Sequence, residues 1–149
     1  MIKSEVKVYV DGTKKWYLDG KYHREDGPAL EYTNGDKCWC LNDKLHREDG
    51  PASEYASGDR FWYLNGKYHR EDGPAVELAN GTKKWYLNDK RHREDGPAIE
   101  WADGTKCWYL NDEELTEEGH KAKTNPTVEM TMEEICEALG KNVKVKRND

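Results

Sequence analysis

Four histidines, His23, His46, His69 and His92, stand 23 residues apart, and each opens the string His-Arg-Glu-Asp-Gly-Pro-Ala. Imidazoles in register suggest metal binding or a pH-sensitive switch. Paired carboxylates such as Glu25-Asp26 are the raw material of acid–base catalysis. Cys38, Cys40 and Cys107 add thiols. The spacing weighs against all three chemistries. Equivalent atoms in neighbouring hairpin units lie about 10 Å apart, whereas zinc needs its ligands near 2 Å. An active site needs one asymmetric constellation, and four identical copies supply none. Cys38 and Cys107 occupy the same unit position three repeats apart, about 30 Å at that spacing. A lone Cys-x-Cys is a weak metal signal, so the thiols are read as small strand-filling residues. The histidines are expected to hydrogen-bond to a turn or stack on Trp. Arg24-Asp26 and its copies are expected to fix the loop ahead of Gly-Pro by local ion pairing and Asx-type turns. A charged stripe read by a partner is the alternative. Phosphate loops, nucleophile elbows and dinucleotide fingerprints are missing from the sequence. No catalytic residue, metal ligand or cofactor is expected, and the chain is not read as an enzyme.

These residues are carried by a repeat. Trp recurs on the same step at Trp16, Trp39, Trp62, Trp85 and Trp108, and Gly at Gly12, Gly35, Gly58, Gly81 and Gly104. A fixed period without insertions signals a stacked array in which each unit touches its neighbours. Within a unit the periodicity is two. Arg60-Phe61-Trp62-Tyr63-Leu64 reads as a strand ending at the tight-turn dipeptide Asn65-Gly66, with Asp19-Gly20, Asn42-Asp43, Asn88-Asp89 and Asn111-Asp112 at the same place in other units. Ala75-Val76-Glu77-Leu78 reads as a second strand closing at Asn80-Gly81. The predicted fold class is all-β: a single-layer antiparallel β-hairpin repeat array, a meander of about ten strands, with a small C-terminal helix-strand cap. Residues 1–15 form a half-repeat. Residues 16–122 form four full repeats and a degenerate fifth, in which Leu115-Thr116-Glu117-Glu118-Gly119 replaces His-Arg-Glu-Asp-Gly. Residues 123–149 form the cap, with a helix entered through the capping box Thr131-x-x-Glu134, an apolar stripe Met132, Ile135, Cys136 and Leu139, a stop at Gly140, and a last strand Val143-Lys144-Val145-Lys146.

Alternation assigns the faces. One side is expected to collect the Trp ladder, Leu18, Leu41, Leu64, Leu87 and Leu110, together with Leu30, Val76, Ile99, Tyr32, Tyr55 and Trp101. The other carries Tyr17, Tyr63, Tyr86 and Tyr109 among Glu and Lys. An aromatic side on an isolated ribbon is half a core, and something must cover it or dock there.

Composition bounds the rest. With 35% hydrophobic and 36% charged residues in 149, a thick two-layer core is not expected. The net charge of −6 repels nucleic acid and anionic membrane, so neither is an expected partner. No apolar run reaches 18 residues and no secretory h-region opens the chain, which points to a soluble cytoplasmic protein with reduced thiols.

The frame Trp-Tyr-Leu-Asn-Gly-Lys-x-His-x-x-x-Gly followed by Asn/Asp-Gly resembles the MORN repeat in its divergent bacterial and viral variant, over about residues 5–122. It carries Arg-Glu-Asp-Gly-Pro-Ala where the ordinary unit has a simpler Gly-x-Gly. The resemblance implies a twisted single-layer hairpin array used for protein contact and self-association, with a groove lined by aromatic residues. The His-Arg-Glu-Asp-Gly-Pro-Ala wording also resembles repeats of phage and large-virus genomes.

What the copies share is what the ribbon requires, and what differs is free to specify a partner. The expected partner-binding residues are therefore Trp16, Trp39, Trp62, Trp85 and Trp108 of the ladder, with the departures Arg60, Phe61, Arg91 and Trp101. Residues 62–84 form the one full repeat with positive charge (4 basic, 3 acidic), which centres the expected docking zone on the middle of the ribbon. The expected function is a non-enzymatic protein-binding scaffold, in a viral setting one that inhibits or sequesters a host defence protein. The alternatives are a homo-oligomerising structural element that pairs with a second copy, a nucleotide sponge, and a membrane-associated MORN-type protein.

Overall fold

The computed structural model describes residues 4–126, together with Glu134 and Glu137. Its strands form a twelve-stranded antiparallel sheet and three separate two-stranded hairpins, followed by the helix Glu117–Thr124. This is the single-layer antiparallel hairpin array that the repeat predicts, closed by a C-terminal helix.

Every unit turns at the same two positions. Asn65 and Gly66 have φ of 52° and 81°, and Asn42-Asp43, Asn88-Asp89 and Asn111-Asp112 share that left-handed pair, the signature of a type I′ hairpin. Neighbouring units are joined by side chains that cap one another's backbone. Asp43 Oδ1 accepts the Tyr22 N–H at 2.8 Å, while the Asp43 N–H donates to the Tyr22 carbonyl at 3.0 Å. Asp36 Oδ1 accepts the Ala56 N–H at 2.8 Å, and Asp59 repeats this with Ala79 at 2.7 Å.

The five-residue strand expected over 60–64 is divided at Trp62. Up to Phe61 the chain lies between Ser53–Glu54 and Val76–Glu77 of the long sheet. From Tyr63 it pairs with Lys67–Tyr68 of its own hairpin. Trp62 is the hinge: its N–H donates to the Ala75 carbonyl at 2.8 Å and its carbonyl accepts the His69 N–H at 3.2 Å. Lys14–Leu18 stays unbroken because Ser4–Val8 pairs with all five of its residues.

Register corrects the expected division of faces. Val76 stands opposite Phe61 and Lys84, and Ile99 opposite Lys84 and Cys107. Directly opposed residues share a face, so Leu30, Val76 and Ile99 lie with Cys38, Phe61 and Cys107, and not with the tryptophans. Tyr32, Tyr55 and Trp101, two residues further on, lie there too. On this tyrosine side Tyr63 stacks on Tyr68 at 4.3 Å, Tyr68 on Tyr86 at 5.2 Å, and Tyr55 meets Phe61 edge-on at 5.5 Å. Alternation alone fixes which residues of one strand share a side. It does not fix the register between strands, and there the expectation failed.

The buried core is correspondingly thin. Leu30, Val76 and Ile99 are buried on the tyrosine side, and each would contribute about 1.5–3 kcal/mol. Ala29, Ala52, Ala75 and Ala98, at 0% exposure, lie on the opposite side beside the tryptophans. That opposite side also carries a cross-strand ladder of alternating sign, Lys14–Glu31–Lys37–Glu54–Arg60–Glu77–Lys83–Glu100–Lys106.

The loop of the fifth unit is helical. Thr116 caps Glu117–Thr124 by accepting the Gly119 N–H at 3.0 Å, and Glu117 and Glu118 complement the first turn. In the full units Pro follows the glycine; here His120 does, leaving an N–H for the helix. His120 is buried and its Nε2 donates to the Arg93 carbonyl at 2.6 Å, tying the helix to the fourth loop. Apart from Glu134 and Glu137, the expected tail helix and the strand Val143-Lys144-Val145-Lys146 lie outside the described residues.

Candidate functional site: a row of clefts on the tryptophan side

The loops His-Arg-Glu-Asp-Gly-Pro fold back over the tryptophans. The Arg70 guanidinium lies 4.1 Å from the centre of the Trp62 ring, and Arg24, Arg47 and Arg93 repeat the stack on Trp16, Trp39 and Trp85 at 4.0–4.1 Å. Arg70 Nε donates to Asp72 at 2.8 Å, and its Nη1 reaches the Pro74 carbonyl at 3.2 Å and Glu77 at 3.1 Å. A Cβ on Gly73 would stand 2.8 Å from Arg70 Cζ. The guanidinium is thus clamped between an indole and a glycine, with its fork committed to loop and strand. Each Arg–Asp contact holds the aspartate (Asp26, Asp49, Asp72 and Asp95) below the usual carboxylate range.

The histidines connect units. His46 Nδ1 accepts the backbone N–H of Asn65 in the next turn at 3.1 Å, and His23, His69 and His92 do the same with Asn42, Asn88 and Asn111. Among the described residues, no group of three or more His, Cys, Asp or Glu is placed to hold a metal ion.

Between successive loops the tryptophan side opens into equivalent clefts. One lies between residues 24–28 and 46–49, the next between 47–51 and 69–72, and a third between 70–74 and 92–95, with volumes of about 710, 770 and 790 Å³. Their floors are Trp39 and Leu41, Trp62 and Leu64, and Trp85 and Leu87. Ser4, Trp16 and Leu18 line a smaller one of about 350 Å³ at the N-terminal end. The lips are acidic. Glu25, Asp26, Glu48, Asp49, Glu71, Asp72, Glu94 and Asp95 have 80–85% of their side-chain surface exposed.

The expected partner-binding residues divide between two faces. Trp39, Trp62 and Trp85 line the three clefts and Trp16 the smaller one. Trp108 shares their side, opposite Leu115, with Thr116 at the position the other units give to Arg. Arg60 is on the same side, as a rung of the charge ladder between Glu54 and Glu77. Phe61, Arg91 and Trp101 lie on the tyrosine side. There Arg91 stacks on Tyr109 at 4.0 Å and pairs with Asp112 at 2.8 Å, and Lys84 Nζ lies 4.6 Å over the half-exposed Trp101. The leucine floors were not among the expected site residues, and the carboxylate lips entered only as the alternative of a charged stripe read by a partner. Being common to all units, they look structural when only departures between copies are weighed.

Cys38 and Cys40 face the core with Leu30, and burial pushes the Cys40 thiol up to about 12. Among the described residues, no helix is long and apolar enough to cross a membrane. No protein-family model matches the chain, and no curated protein matches it.

Proposed function

We propose that the chain is a non-enzymatic, MORN-type protein-binding scaffold whose cleft row receives an extended, basic segment of a partner protein. The observation that carries this reading is the recurrence of one cleft, apolar-floored and acid-lipped, at every full repeat junction. Two strand spacings separate neighbouring clefts, about 10 Å. A polyproline-like chain covers about 9 Å in the three residues of one turn and so returns the same face to each successive cleft. The fitting segment therefore carries an apolar residue every third position, with Lys or Arg between. The arginines are committed within their own loops, so the groove presents carboxylates outward, which favours a cationic partner over an anionic nucleotide. In the phage or viral setting that the repeat wording resembles, such a scaffold would act by occupying and blocking a host defence protein.

The test is Trp emission during titration with a twelve-residue peptide carrying Leu at every third position and Lys elsewhere. Tight binding is expected for the native chain, and Glu48→Lys with Glu71→Lys should weaken it at least about tenfold. Trp101→Glu, on the opposite side, should leave it unchanged. Equal loss in both variants would refute the assignment of the face.

A further inference from the structure

The twelve-stranded sheet ends differently at its two edges. At the C-terminal edge the helix Glu117–Thr124 packs on Lys106–Leu110 and Glu113–Leu115, tied down by Lys123–Glu113 at 2.6 Å and by His120. At the N-terminal edge Ser4–Val8 pairs, among the described residues, with Lys14–Leu18 alone, and Val6 and Val8 are 52% and 64% exposed.

The outward backbone groups of that edge can be assigned. The Tyr9 N–H donates to the Thr13 carbonyl at 2.9 Å. Alternation in an antiparallel ladder then turns the N–H and C=O of Tyr9, Lys7 and Glu5 inward, and those of Val8, Val6 and Ser4 outward. Trp16, opposite Val6, agrees: its N–H is used on its other side, donating to the Ala29 carbonyl at 2.8 Å.

We propose that Ser4–Val8 pairs antiparallel with the same strand of a second copy, about a two-fold axis through the Val6–Val6 pair. In this register the outward groups of Ser4, Val6 and Val8 meet those of Val8, Val6 and Ser4 across the axis. Glu5 falls opposite Lys7 of the partner subunit, twice by symmetry, in the closer non-hydrogen-bonded pairs. Sliding by two residues sets Lys7 against Lys7 in one direction and Glu5 against Glu5 in the other. Charge therefore selects a single register. Within one chain Lys7 Nζ already lies 3.2 Å from Glu5, so the dimer extends an existing pair into a four-charge cluster of alternating sign. Because the axis runs normal to the sheet, both tryptophan sides face the same way and the cleft rows join. The occupant is a second copy because the strand complements itself in both charge and backbone polarity.

Sedimentation velocity over a concentration series tests this on the full chain of 17.3 kDa. A concentration-dependent dimer is expected. Glu5→Lys and Lys7→Glu should each weaken it about tenfold by setting like charges opposite one another, and the double variant E5K/K7E should restore it. Val6→Pro, which deletes an outward N–H and no inward one, should abolish it while far-UV circular dichroism stays native. A native chain that stays monomeric throughout would overturn the proposal, as would a dimer that tolerates both single charge variants.

Discussion

Arg70 and Gly73 occupy one space: the Cζ of the first stands 2.8 Å from where a Cβ on the second would be. The same clamp recurs in the other three full loops, with Arg24, Arg47 and Arg93 over Gly27, Gly50 and Gly96 at 2.9 Å. Only glycine leaves the guanidinium room to lie on Trp62. Gly73→Ala is therefore expected to act by expelling Arg70 from its stack, at a cost of about 1–2 kcal/mol. Arg70→Ala should cost a similar amount, and the double variant little more than either. A double-mutant cycle in urea checks this; additive losses would mean that glycine and arginine act separately.

Acid should unfold the array through the same loops. Asp26, Asp49, Asp72 and Asp95 are held below the usual carboxylate range, first by the hydrogen bond from their arginine. A carboxyl whose folded pKa is depressed stabilises the fold above its unfolded value, about 3.9. That contribution disappears as pH falls through the folded value. The thermal midpoint should thus be level above about pH 5 and fall below about pH 4. Replacing all four aspartates by Asn should lower the plateau and flatten the fall. An unchanged acid limb in that variant would contradict the assignment.

Cys40 should be inert in the folded chain. It is buried beside Leu30, and burial holds its thiol near the neutral form, with a pKa of about 12. At pH 8 iodoacetamide should modify Cys40 only after denaturant is added, as read by peptide mass mapping. Modification in native buffer at the rate of a free cysteine would show that the core opens there.

The period, both turn types and the hairpin order are legible in the sequence because they are written by local chemistry: Asn-Gly and Asn-Asp turns, period-two alternation and an invariant step. The partition of the faces was not legible. Phe61 and Trp62 are neighbours in sequence, and only the pairing of Val76 with Phe61 decides which side the aliphatic residues join. Nor was the helix Glu117–Thr124 expected, since its sequence aligns with a loop. The difference rests on His120 replacing a proline and on Thr116 serving as a cap. The candidate site was half legible. Alternation placed Trp62 and Leu64 together, whereas the fold-back of the loop that makes a cleft depends on the Arg70 stack, a contact across eight residues.

The central claim, that the clefts read an extended basic segment at three-residue intervals, is tested most directly by phase. Two twelve-residue peptides of identical Lys and Leu composition are titrated against the chain, one with Leu at every third position and one with the leucines clustered. The spacing of the repeats predicts that the first binds at least about tenfold more tightly, and that salt weakens it. Equal affinity for the two peptides would mean that net charge alone draws them, and would contradict the account.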